Sequence, residues 1–171
     1  MLERLVNFFI GIFGGLTALA FGKELIVFVI SLLPILELRG GLIAASLMNM
    51  NPITSYIICF IANLIPIPII LWLVVPVLNK LKNFKKLVNF IDKLEEKALK
   101  KQDRIEKYEF WGLALFVAIP LPGTGVWTGC LVAALMGMDK RKATISAILG
   151  VLVASIIMMI ISFGILNNII G

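Results

Sequence analysis

Apolar residues fall in five long runs, at 5–22, 24–48, 53–78, 110–138 and 143–170. About 20 consecutive apolar residues cross the hydrocarbon core of a bilayer. The pattern therefore predicts an all-α integral membrane protein, folded as a single membrane domain over 1–171. Two runs are interrupted near their middles. Run 24–48 carries Pro34 and Gly40-Gly41; run 110–138 carries Pro120-Leu121-Pro122-Gly123-Thr124-Gly125. Proline removes a backbone donor and breaks a continuous helix. Each interrupted run is expected to be a pair of short helices.

Polar punctuation orders these runs. Residues 80–107 hold ten of the sixteen Lys and Arg, and Lys140-Arg141-Lys142 forms a second basic stretch. Lys and Arg concentrate on the cytoplasmic side. Run 110–138 lies between these basic segments, so both its ends belong inside, and a re-entrant hairpin meets that demand. Run 24–48 has flanks poor in Lys and Arg, so its ends belong outside. The predicted path has the N-terminus inside and a first helix over 1–22, read as retained rather than cleaved. A first repeat follows over 23–78 and a second over 108–171, each a re-entrant hairpin plus a transmembrane helix. Between them, 79–107 is expected to be an amphipathic cytoplasmic helix. Leu81, Phe84, Leu87, Val88, Ile91 and Leu94 recur there at helical spacing among lysines.

An ungapped shift of 88 positions superposes the two halves. Phe28 meets Phe116, Val29 meets Val117, Pro34 meets Pro122, Gly41 meets Gly129 and Met50 meets Met138. Hairpins entering from opposite sides make this an inverted-topology repeat. In such repeats the interrupted segments point to the binding site.

Composition narrows the classes further. The chain is 60% hydrophobic and 15% charged, with mean hydropathy +1.04, which leaves no room for a separate soluble domain. The net charge of +6 reads as membrane-facing rather than nucleic-acid-binding. There is no histidine, and Cys59 and Cys130 have no metal-ligand spacing. No metal, cofactor or enzymatic centre is expected.

Against that background Glu37 and Arg39 stand out as charges inside an apolar run. An ionised group at bilayer depth costs at least ~2.5–3.5 kcal/mol on insertion scales and is usually functional. One reading is a titrating carboxylate beside an anion-binding guanidinium, next to a helix break at Gly40-Gly41. The other is an ion pair that only holds the hairpin tip. In the second tip, Pro122, Gly123, Thr124, Gly125 and Trp127 offer backbone amides, a hydroxyl and an indole N–H before a half-helix. Such an end receives anions, although a turn bonding only to itself would use the same residues. Asn63 could hydrogen-bond into the site or cross-link helices, and packing is the favoured role. Glu109 and Arg104 are surface or access-path residues.

Glu37-Leu38-Arg39-Gly40-Gly41 followed by Pro120-Leu121-Pro122-Gly123-Thr124-Gly125-Val126-Trp127 resembles the small multi-drug export protein family, a branch of the DedA superfamily. The resemblance implies a prokaryotic cytoplasmic-membrane protein with two opposed re-entrant hairpins. It also implies proton-dependent movement of lipid-phosphate carriers, with Glu37 as the hairpin acid and Arg39 as a nearby functional charge. The arginines that the superfamily carries after its second hairpin are represented here only by Arg141. The expectation is a secondary transporter or lipid flippase, with its site between the hairpin tips. Its partners would be the bilayer, an anionic lipid or small amphiphile, and protons, with a homo-oligomer allowed. Export of small lipophilic cations and a non-transporting membrane scaffold are the alternatives.

Overall fold

The computed structural model describes residues 21–81, 110–121 and 123–165, with isolated positions 4, 7, 8, 11, 92, 93 and 96. The expected first helix (1–22), the amphipathic connector (79–107) and Pro122 lie wholly or mostly outside the described residues. Those residues are helical, with no strand among them. The helices are α1 (Gly22–Leu32), α2 (Glu37–Leu47), α3 (Pro52–Leu64), α4 (Pro66–Leu81), α5 (Phe110–Ala118), α6 (Val126–Leu135) and α7 (Lys140–Met159). A π-helical segment, Ile160–Ile165, continues α7.

Helix lengths separate two kinds of element. The stretches Pro52–Leu78 and Lys140–Gly164 are 27 and 25 residues long and apolar enough to cross a membrane. By contrast α1, α2, α5 and α6 have 9 to 11 residues. At 1.5 Å per residue these reach about 14–17 Å, half of a ~30 Å hydrocarbon core. The long helices invert the soluble pattern. Ile53, Ile57, Ile61 and Ile65 recur every four residues and are exposed, whereas Ser55, Cys59, Ala62 and Asn63 are buried. On α7 the buried positions are Ala143, Ser146, Ala147, Gly150, Val151, Ala154, Ser155 and Met158, six of them small, and Ile145, Leu149, Leu152 and Ile156 face outward. Small residues inside and large aliphatics outside are what close helix packing in lipid requires.

Local sequence explains each boundary. Leu33 precedes Pro34, which disfavours the helical region for Leu33, and it adopts φ −69°, ψ 135° at the end of α1. The break covers only Leu33–Leu36. Gly40 and Gly41, expected to interrupt the helix, instead lie within α2. Their use is close approach. A Cβ on Gly41 would overlap Ser31 Oγ of α1 and come within 2.9 Å of Cys59 Sγ of α3. In the second hairpin the break runs from Ile119 to Gly125, where two prolines and two positive-φ glycines, Gly123 and Gly125, leave no helical option.

Helix boundaries repeat at the spacing of the sequence repeat. Leu47 and Leu135, and Pro52 and Lys140, are each 88 positions apart. The turns repeat in detail. Met50 N donates to Ala45 O and Met138 N to Ala133 O, both at 3.0 Å. The left-handed residue of each turn is Asn49 (φ 50°) and Gly137 (φ 71°). Asn51 and Asp139 cap the long helices. Asn51 Oδ1 accepts from Ile53 N and Thr54 N, and Asp139 Oδ1 accepts from Lys142 N at 2.9 Å. Removing such a cap costs about 1 kcal/mol. Asn51→Ala is therefore expected to lower the melting temperature of the purified protein by a few degrees, and Asn51→Asp to leave it unchanged.

Two compact units partition the chain, Met1–Ile65 with Leu152–Gly171, and Pro66–Val151. In the first, α1, α2 and α3 pack on one another and α2 also meets the π segment. Ser46 Oγ donates to Ser162 O there at 2.7 Å. In the second, α6 packs on α5 and α4. Gly150 of α7 lets α5 approach closely, since a Cβ on it would lie 2.6 Å from Val117 Cβ.

Candidate functional site

The first residue of α2 carries the strongest chemical signal. Glu37 is 4% exposed and Arg39 9% exposed, and their charges act on each other. An isolated ion so deeply buried is prohibitively costly, and pairing is what permits it. Glu37 also adopts φ 50°. Left-handed backbone costs a non-glycine residue roughly 1–2 kcal/mol, and such strain gathers at functional positions. The repeat-equivalent residue is Gly125, at φ 118° and ψ −173°, a region essentially reserved for glycine. Both halves thus place a positive-φ residue at this position, a glycine in one and a carboxylate-bearing residue in the other, although at different φ.

The backbone of this tip is well bonded. Glu37 N donates to Leu33 O and Gly40 N to Leu36 O, both at 2.9 Å. Asn63, fully buried on α3, donates through Nδ2 to Ser31 O at 3.1 Å and Cys59 O at 3.0 Å. Ser31 O is one of the terminal carbonyls of α1 that have no amide left within their own helix. Asn63 therefore ties α3 to the end of α1, in keeping with the packing role favoured for it. Ser31 and Cys59 were not marked as relevant by sequence reasoning. The four-residue spacing of Ser55, Cys59 and Asn63, one face of a mostly apolar helix, is the available signal.

The tip of the second hairpin is arranged differently. Thr124 Oγ1 lies 2.8 Å from Ile119 O and 2.7 Å from Leu121 O, and Thr124 N donates to Leu121 O at 3.2 Å. Its hydroxyl proton is thus turned back on the loop. Gly123 is exposed, Gly125 is buried and Trp127 is half-buried. Gly125, the N-cap of α6, supplies no side-chain cap of its own. Glu37, Arg39, Gly40, Gly41 and Asn63 belong to one compact unit, and Gly123, Thr124, Gly125 and Trp127 to the other. Glu109 and Arg104 lie outside the described residues. No group of three or more His, Cys, Asp or Glu able to hold a metal occurs among the described residues.

Long apolar helices with lipid-like outer faces, together with a buried charge pair, define a helical membrane protein. The chain belongs to the family described as "Putative small multi-drug export protein", whose sequence pattern matches residues 37–157. That match begins at Glu37 itself. Nothing matches the chain among curated proteins or among solved structures.

Proposed function

We propose that this protein is a proton-coupled secondary transporter that exports small amphiphilic compounds. Glu37 is its proton-carrying group and Arg39 holds an anionic head group of the cargo. The observation that carries this reading is the buried Glu37–Arg39 pair on a strained turn. Burial, an opposite charge and strain coincide on one ionisable residue, and the family description points to export. The short helices on either side of each break and the 88-position sequence repeat support two re-entrant hairpins related as an inverted repeat. On this reading the protein is multi-pass, has its N-terminus inside and lies in a prokaryotic cytoplasmic membrane.

A second reading, export of lipophilic cations at Glu37, is favoured by the multi-drug wording of the family. Proteoliposomes with an imposed pH gradient separate the two. Uptake or flipping of a fluorescent anionic phospholipid analogue, and none of tetraphenylphosphonium, is expected. The reverse selectivity transfers the cargo site to Glu37 alone. Movement of neither probe, with or without the gradient, rejects transport in favour of a membrane scaffold.

A further inference from the structure

Asn63 leaves one polar atom unexplained. Both of its amide protons are spent on carbonyls, which fixes the orientation of the amide and identifies Oδ1 as the remaining acceptor. That oxygen is buried and has no hydrogen-bond partner among the described residues. A buried acceptor left unpaired is destabilising, so a partner is expected. Its surroundings are rich in acceptors. The amide sits on Ser31 O, at the C-terminal end of α1, which stops at Leu32; Leu33 N takes Ile30 O, and the carbonyls of Ser31 and Leu32 lie beyond the reach of intrahelical amides. Ser31 Oγ is buried beside the Cys59 thiol. A helix C-terminus carries about half a negative charge. Glu37 lies one turn before Gly41, which packs against Ser31 and Cys59, and Asn63 lies one turn after Cys59. Along the α2–α3 pair, Glu37 and Asn63 thus fall at the same level.

We propose that the C-terminal end of α1, Asn63 Oδ1 and Ser31 Oγ form a site for a desolvated sodium ion. Amide and carbonyl oxygens do not take up a proton at accessible pH, so a set of neutral oxygens at a negative helix end selects a metal cation instead. Half-helix C-termini inside membranes serve this purpose in secondary transporters. The packing at Gly41 leaves little room, which favours the smaller alkali ion. Transport by Glu37 is not needed for the ion to bind. The proposal extends the transport reading by adding a coupling ion, and it can be tested apart from it.

The experiment is thermal unfolding of the purified full chain in detergent, at constant ionic strength, in sodium, potassium or choline chloride. Sodium is expected to raise the melting temperature by a few degrees, saturably, with choline inert and potassium weaker. Asn63→Ala should abolish the sodium response. Because that variant also uncaps α1, Ser31→Ala is the second probe. It keeps the Ser31 carbonyl and should weaken apparent sodium affinity at least tenfold. Glu37→Gln should retain a sodium response even where transport is lost. Identical melting in sodium and choline, or an unchanged sodium response in both Asn63→Ala and Ser31→Ala, overturns the site and leaves a bound water as the partner of Oδ1.

Discussion

Gly41→Leu is expected to yield no folded, monodisperse protein. A single Cβ at this position already overlaps Ser31 Oγ and crowds Cys59 Sγ, and both neighbours are fully buried. Ser31 could rotate away from one methyl group, so Gly41→Ala should cost about 1–3 kcal/mol, the usual penalty for overpacking. Leucine leaves no such escape, because α1 and α3 hold α2 from two sides. Its cost then approaches the whole stability of a small domain, about 5–15 kcal/mol. Gly129, the repeat-equivalent position, should behave alike, since its Cβ would meet Val117 Cγ2 at 2.8 Å and Leu113 Cδ1 at 3.1 Å. Gly137 is the control. Its φ of 71° strains any side chain, yet nothing lies within 4 Å of its Cβ position. Gly137→Ala should cost only about 1–2 kcal/mol of backbone strain. Size-exclusion profiles and melting curves of the four variants give the ranking. A folded, stable Gly41→Leu protein refutes the close-packing account of the first hairpin.

The second large effect concerns Glu37. Glu37→Gln keeps the size and hydrogen-bonding reach of the side chain and removes its titration, so proton-coupled transport should fall to background, a loss of about 100-fold or more. The protein should still elute and melt as a folded species. Transport at the wild-type rate removes Glu37 from the mechanism. Backbone strain at the same position has a separate signature, read by comparing Glu37→Gly with Glu37→Ala. Both delete the carboxylate and leave Arg39 in the same state, so their difference isolates the backbone. In an ordinary helix alanine is the more stable by about 1 kcal/mol. At φ 50° the order should reverse, with glycine ahead by about 1 kcal/mol, because it escapes the left-handed penalty. Alanine ahead of glycine would mean that Glu37 is not strained in solution.

Much of this arrangement is legible in the chain. Unbroken apolar runs specify membrane helices because lipid accepts no unpaired backbone. Pro34, and Pro120 with its glycines, locate the hairpin breaks because proline lacks a donor and constrains its predecessor. The 88-position shift also relates Leu47 to Leu135 and Pro52 to Lys140, whereas the helix ends beside the breaks, Leu32 and Ala118 or Glu37 and Val126, fall out of that register. Gly40-Gly41 misled, because a glycine pair signals a break or a close approach with equal force. Only the packing of α1 and α3 decides which. The same shift aligns Glu37 with Gly125, a hint of left-handed backbone that periodicity alone does not carry.

By itself, then, the sequence determined the membrane class, the breaks in the two interrupted runs and the charges within the first, since each follows from solvation or from the covalent limits of proline. The tertiary structure alone decided that Gly41 serves contact rather than flexibility, that Asn63 caps α1, that Thr124 spends its hydroxyl on its own loop and that Glu37 sits in a glycine conformation. The first two outcomes depend on which atoms meet across packed helices and the last two on the detailed backbone path of each tip, and neither hydrophobic patterning nor local propensity encodes them.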